Sequence, residues 1–436
     1  PAATMGTAGV YMVARLDFLF LASPPAMTVV AFVGAFTAIA AALIGFAQND
    51  IKKVLAYSTI SQLGYMFVAV GVGAFSSGIF HLMTHAFFKA CLFLGAGSVI
   101  HGMHERQDIR EMGDLRRRMP HTHWTFAVSV AAISGVPLLS GFFSKDEIIW
   151  RAFANPNAYL PWAPRFIWAF SLVTAAMTAF YMTRLYLMVF WGRFRGPAEL
   201  KEQVHESPRS MTVPLMALAV LAAIGGYVGL PALAPNYFEH WLSSVVTEIP
   251  AGAHPAALEW GLMGLGVLAA AIGIVSAWPL YSQGLNPVLG RITGSAPWLY
   301  RWVHGKLWVD ETYGLLLIRP LGWMAALCHR IFDRFLIDKV LVEGTAWIAF
   351  SGGWILRKLQ GGSVQRHAGA MALGLAVILY AVASPRTDVT VEDTGGGSVR
   401  FTAPFHYAPY TYSWDFDGDS LGRKGEEAWK SFEQVW

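Results

Sequence analysis

His81-Leu82-Met83-Thr84-His85-Ala86-Phe87-Phe88-Lys89 lies inside an apolar run that extends from about Gly78 to Ile100. At helical spacing His81, His85 and Lys89 fall at i, i+4 and i+8, so they share one face and draw a polar line about 12 Å long. The run is long enough to span a bilayer, and Lys89 sits about 15 Å from either end of the hydrocarbon, beyond comfortable snorkelling reach. Ionisable groups at that depth cost several kcal/mol unless they face a bundle interior or a wet cavity, and there they mark ion or proton paths. Taken singly, each has a plainer explanation: a buried histidine bonded to a carbonyl, or a lysine reaching the interface. Three in register favour a path. Burial disfavours the charged amine, so Lys89 is suited to gaining and losing a proton, with the histidines as relay partners.

The composition around this stripe agrees with a membrane setting. The 436 residues are 55% hydrophobic and only 14% charged, with 17 Trp and a mean hydropathy of +0.44, which excludes an ordinary soluble chain. The expected fold class is all-α, a polytopic transmembrane helix bundle. A formal charge of +4, with Lys and Arg confined to short loops, is a topology signal and implies no nucleic-acid partner. Cys91 and Cys328 are isolated in apolar surroundings, so no metal site, iron–sulfur cluster or disulfide framework is expected, and redox chemistry would belong to partner chains. Ala2 to Ala14 reads as the last turns of an apolar helix without the marks of a signal peptide, so the chain is expected to be truncated at its start.

Outward from the stripe, apolar runs of spanning length are expected at about 26–47, 54–74, 78–100, 124–150, 166–191, 211–231, 258–280 and 368–384. Basic residues alternate by side between them. Lys52, Lys53, Arg106, Arg110, Arg116, Arg117, Arg118, Arg193, Arg195, Lys201 and Arg209 gather on one face, and Arg15, Arg151 and Arg165 on the other. The positive-inside rule makes the first face cytoplasmic. Asp50 beside Lys52 and Lys53 is open to two readings, helix-end charges or a functional ion pair. Arg184, near the cytoplasmic end of its run, is expected to snorkel.

The run 124–150 is interrupted. Gly135, Pro137 and Gly141, with Ser134 and Ser140, predict a break in mid-membrane, because proline removes a backbone bond and clashes with the preceding turn. Broken helices occur at that depth where the freed backbone lines a cavity. Lys145 follows the break by about two turns, with Asp146 and Glu147 adjacent; a helix-end charge cluster is the plainer alternative.

From Trp298 to about Gln360 the pattern becomes amphipathic. Met324, Cys328, Ile331 and Phe335 keep helical spacing opposite Arg330, Asp333, Arg334 and Asp338, which predicts a helix lying on the membrane. It is either one long rod or, with breaks at Pro320 and Gly352-Gly353, two or three short helices. A span at 340–356 is disfavoured by Glu343 and Ser351-Gly352-Gly353. In the polar tail, Asp415-Phe416-Asp417-Gly418-Asp419 resembles the start of a calcium loop, but Ser420 stands where that loop needs glycine, so a solvated turn is expected and no metal.

His81 to Lys89, Val54-Leu55-Ala56-Tyr57-Ser58-Thr59-Ile60-Ser61-Gln62-Leu63-Gly64-Tyr65, and Gly135-Val136-Pro137 through Gly141-Phe142-Phe143-Ser144-Lys145-Asp146 together resemble the antiporter-like proton-pumping subunits of respiratory complex I, NADH:quinone oxidoreductase, a superfamily shared with multi-subunit cation/proton antiporters. The amphipathic stretch followed by a final span is similar to the subunit L (mitochondrial ND-five) type. The resemblance covers about residues 2–384. It implies an inverted-repeat fold of which this chain holds the second repeat at 15–192, after the end of a truncated helix at 1–14. Additional transmembrane helices at 193–297, a lateral helix at 298–360, a final span at 361–384 and a polar tail at 385–436 would follow. It further implies that Lys89 is the central lysine, His85 and His81 its relay neighbours and Lys145 the exit-side lysine. Asp50 and Lys52, with Asp146 and Glu147, would be polar-axis members.

By the same resemblance, no cofactor is expected in this chain; FMN, iron–sulfur clusters and quinone would reside in partner subunits. The other membrane-arm subunits, contacted through the lateral helix, and the lipid bilayer are the expected partners. The expected location is a bacterial inner membrane, with the tail on the non-cytoplasmic side. A subunit of a Mrp-type Na+/H+ antiporter and an inert structural anchor are the competing readings.

Overall fold

The computed structural model describes residues 5–156, 158–229, 236–252, 254–284, 286–359, 361–384, 390–393 and 399–402, with only the backbone of residues 292 and 293. It divides into two units, one ending at Leu316 and one beginning at Leu317. The expected Asp415–Asp419 turn lies outside the described residues.

The first unit is a helix bundle. Short helices α1 (Ala8–Arg15) and α2 (Asp17–Leu21) lead into α3 (Pro24–Ala47), α4 (Ile51–Gly71) and α5 (Phe75–Gly102). The expected interrupted run becomes two half-length helices, α6 (Pro120–Ser134) and α7 (Ser140–Phe153), followed by α8 (Ala163–Phe190). Then come α9 (Ala198–Gln203), α10 (Arg209–Ile224), α11 (Tyr237–Leu242), α12 (Ala256–Tyr281), α13 (Pro287–Ser295) and α14 (Pro297–His304). Lipid offers no hydrophobic drive between helices, so close approach through small residues holds such bundles together. Along α3 and α4 that device is plain: a Cβ on Gly34 would stand 2.7 Å from Val68 N, and one on Gly64 2.6 Å from Ala38 N. Ser61 Oγ adds a bond across the seam to Ala38 O at 2.9 Å.

The break follows from its residues. Gly135 ends α6 in the left-handed region at φ +82°, which glycine adopts without cost. Leu138 is also left-handed, at φ +72°, and Pro137 lies between them in the linker. Gly141 then sits so close to the Ala132 carbonyl that a side chain there would overlap it. The three residues therefore serve different needs: a reversal, a stop and a close approach.

Beyond α14 the chain, through the end of the first unit and into the second, is mostly helical. Left-handed backbone at Lys306, Leu307 and Trp308 separates α14 from α15 (Val309–Tyr313). Helix then runs unbroken through a π-helical turn at Gly314–Ile318, α16 (Arg319–Cys328), a π-helical stretch at His329–Glu343 and α17 (Gly344–Leu359). The stretch expected from Trp298 is interrupted at Lys306–Trp308, and beyond that point neither Pro320 nor Gly352-Gly353 breaks the helix. Pro320 falls where the π-helical turn gives way to α16, and Gly352-Gly353 stays helical. None of α16, α17 or the final helix α18 (Val364–Ala383) is buried. The all-α expectation needs one small correction, an antiparallel pair of strands, β1 (Thr390–Asp393) and β2 (Val399–Thr402).

Eight helices among the described residues are long and apolar enough to cross a membrane, and Lys306–Leu359 is one of them. The expectation that no apolar run there could cross is therefore overturned on length and composition; only the one-sided placement of its charges argues for an interfacial position.

Candidate functional site

The stripe occupies the middle of α5, the helix at the bundle's interior. His81 is 1% exposed, and His85 and Lys89 are 0% exposed. The two imidazoles stand 6.2 Å apart between ring centres, His85 lies edge-on to Phe88 at 5.4 Å, and the Lys89 amine is 5.9 Å from the Phe93 ring centre. Neither nitrogen of His85 nor the Lys89 amine has a partner among the described protein groups. Buried polar atoms are rarely left so, and when no side chain reaches them, water is their usual partner.

His81 ties three helices together. Its Nε2 meets Gln62 Oε1 of α4 at 3.1 Å and its Nδ1 meets Ser144 Oγ of α7 at 2.9 Å. An amide oxygen only accepts, so Nε2 carries the proton and, in the neutral ring, Nδ1 accepts from the Ser144 hydroxyl. Ser144 has two further partners, Thr84 Oγ1 at 2.8 Å and the Ser140 carbonyl at 3.4 Å. When Nδ1 is protonated it becomes a donor, and the Ser144 hydroxyl can turn to Ser140 O. The break between α6 and α7 therefore supplies the group that lets His81 change protonation state without stranding a hydrogen.

Lys145, one residue after Ser144, is 2% exposed. Its amine stands 5.1 Å from the Tyr65 ring centre, a cation–π distance, and like Lys89 it lacks a hydrogen-bond partner. The Tyr65 hydroxyl is occupied, donating to Ser171 O at 2.5 Å. Asp146 keeps one buried oxygen unpartnered, and Glu147 accepts from Ser77 Oγ at 2.9 Å. The structure thus gathers Lys89, His85, His81 and Lys145 along α5 and α7, with Asp146 and Glu147 at one end.

Asp50 and Lys52 are not brought to this line. Asp50 caps α4, its carboxylate accepting from the N–H groups of Lys52 at 2.8 Å and Lys53 at 3.2 Å, while both ammonium groups are exposed. Of the two readings of that corner, helix-end charge is the one found. Arg184 also departs from expectation. It is 4% exposed and donates to Gln48 O and Asn49 Oδ1, both at 2.8 Å. A guanidinium whose two terminal nitrogens are bonded at the end of α3 has no need to reach solvent. Gln62, Ser144 and Thr84 were missed as site residues because uncharged side chains in a membrane run give no signal by themselves, although all three lie inside the quoted motifs.

Comparison with known proteins follows the same geometry. Residues 2–164, which hold the stripe, the break and Lys145, match the family described as NADH:quinone oxidoreductase/Mrp antiporter, transmembrane. Among curated relatives, the NAD(P)H-quinone oxidoreductase chain 5 of Picosynechococcus sp. is 41% identical over 399 residues, 84% of this chain and 58% of the relative. The NADH-quinone oxidoreductase subunit L of Rhodobacter capsulatus is 36% identical over 454 residues, 87% of this chain and 62% of the relative. The chain thus spans about 60% of the length of these relatives. A solved Mrp complex from Dietzia sp. shares the fold at a TM-score of 0.51 and 23% identity, covering 89% of this chain and 38% of that one. Lys89 and Lys145 both lie within the matched segment.

Proposed function

We propose that this chain is a proton-translocating, non-redox subunit of an NADH:quinone oxidoreductase. In this reading it carries protons along Lys89, His85, His81 and Lys145 while quinone is reduced in other subunits. The observation that carries the proposal is the pair of buried, unpartnered amines, Lys89 and Lys145, on the helices that also hold His81, whose Nδ1 faces a hydroxyl that can reverse its bond. A neutral amine accepts a proton, an ammonium gives it up, and the imidazole between them does both at modest cost. FMN, iron–sulfur clusters and quinone belong to partner subunits, for which Cys91 and Cys328, isolated in sequence, offer no ligand set.

The wider assignments belong to the same proposal. Residues 15–192 act as the second antiporter-like repeat, 193–297 as added spans, 298–360 as a lateral clamp on neighbouring membrane-arm subunits, and 361–384 as the final span. The membrane is a bacterial inner membrane with the arginine-rich loops in the cytoplasm. The relatives named as quinone oxidoreductase chains, at 36–41% identity, favour this over the Mrp-type reading; small cation-antiporter genes alone beside this gene would favour Mrp.

The decisive experiment replaces Lys89 in an assembled, membrane-reconstituted complex. Lys89→Met removes the proton-holding group and Lys89→Arg substitutes a cation that does not deprotonate, so both lose proton transport. A full proton-to-electron ratio in the Lys89→Met complex would falsify the proposal.

A further inference from the structure

The stripe does not end at His81. Ser77, one turn earlier, continues the 77, 81, 85, 89 spacing, and its hydroxyl donates to Glu147 at 2.9 Å. Glu147 in turn faces Arg151, Nε to Oε1 at 3.7 Å. The same guanidinium stands 3.5 Å from Glu248 Oε2 and 3.7 Å from Glu239 Oε1, and donates to Ile249 O at 3.0 Å. Three carboxylates thus share one arginine at the end of the bundle opposite the arginine-rich loops.

The segment bearing Glu248 is a strap fastened across the ends of several helices. Thr247 N–H donates to Asp17 at 2.6 Å, Ile249 N–H to Gly73 O at 3.1 Å and Gly252 N–H to Ala154 O at 2.9 Å. Glu248 accepts from the Ser76 N–H at the start of α5. Gly73, at φ +83°, leaves the space that Ile249 fills. Burial pushes the Glu248 carboxyl above the ordinary range, against the pull of the Ser76 bonds and of Arg151.

We infer that Glu147 is the last proton-carrying group of the line, and that Arg151, Glu248 and Glu239 form the release site beneath the 247–252 strap. The inference rests on the proton-transport reading above. A proton arriving from the His81 and Lys145 end reaches Glu147 through the Ser77 hydroxyl. Its ion pair with Arg151 is then neutralised, and the guanidinium turns to Glu248 and Glu239. Loss of the proton to water outside restores the pair, so only a proton changes place. The groups facing Glu147 are Ser77 from α5, Arg151 from α7, Glu239 from α11 and Glu248 from the strap.

The test uses the assembled complex in proteoliposomes, with Lys89→Met as the control for the path itself. Glu147→Gln should lower proton flux about a hundredfold, the scale of losing one proton-transfer group, and Glu147→Asp should restore most of it. Glu248→Gln keeps an oxygen for the Ser76 N–H but removes a charge. The outside pH at which flux falls to half should therefore move about one unit lower. If Glu147→Gln pumps normally while Lys89→Met does not, the release site is wrong and the path stands. If Glu248→Gln leaves the outside-pH profile unmoved, the strap has no part in release. Full pumping by Lys89→Met would remove the path on which both depend.

Discussion

Helix α4 and the rod from Lys306 to Leu359 are equally apolar over their richest 18 residues, yet 72% of that window of α4 is buried and none of the rod's is. The difference lies in what their glycines touch. Gly64 and Gly71 of α4 press against the backbone of Ala38 and Ala31, whereas Gly314, Gly322, Gly352 and Gly353 of the rod have nothing within 4 Å. Hydropathy says that a segment tolerates an apolar medium; small residues opposite small residues say that another helix is there. Ionisable groups obey the same distinction. Lys89 and Lys145 are enclosed by packed helices, while Asp333 of the rod, hydrogen-bonded to His329 at 2.9 Å, is 59% exposed. The first arrangement can hold a proton away from water and the second cannot.

Four sets of substitutions would break or sharpen this contrast. The largest effect is expected from Gly64→Leu, which has no space against Ala38. Folded protein should fail to accumulate, while Gly352→Leu leaves the yield in detergent near that of the wild type. Similar yields of the two would show that the α3–α4 seam is not what holds the bundle. Next comes the pair His81→Ala and His85→Ala in assembled complexes. His81 loses bonds to both Gln62 and Ser144, whereas water can bridge the gap left by unpartnered His85. Proton flux should fall further for His81→Ala, and the reverse order would detach the break from the path.

A smaller effect, on labelling alone, is expected of the rod. Cysteines at Arg334 and Asp338, both exposed, should react with a membrane-impermeant thiol reagent from the cytoplasmic side only. Reaction of the two from opposite sides would make the rod a span and reverse the final helix. The smallest effect belongs to Asp50→Ala. Loss of the α4 cap should lower stability by about 1 kcal/mol, read as a shift in thermal unfolding in detergent, with proton flux unchanged. A large loss of flux with stability intact would return Asp50 to the path.

By itself the sequence determined which segments are apolar, where one of them must break and which charges lie too deep to reach water. Those follow from local chemistry, the length of apolar runs, the missing N–H of Pro137 and the i+4 spacing of His81, His85 and Lys89. It did not determine that Ser144 of α7 bonds His81 of α5, that Gln62 takes the other nitrogen of His81, or that Arg151 gathers Glu147, Glu239 and Glu248. Each of these joins residues more than 15 positions apart, Arg151 and Glu147 excepted, and a neutral serine or glutamine carries no mark of its partner. Asp50, Lys52 and Arg184 teach the converse. Near a helix end, charge alone leaves open whether a side chain caps, snorkels or conducts. Only the neighbouring backbone, the N–H groups of Lys52 and Lys53 for Asp50 and the Gln48 carbonyl for Arg184, decides among them, because it alone supplies the partner that makes burial or capping cheaper than solvent.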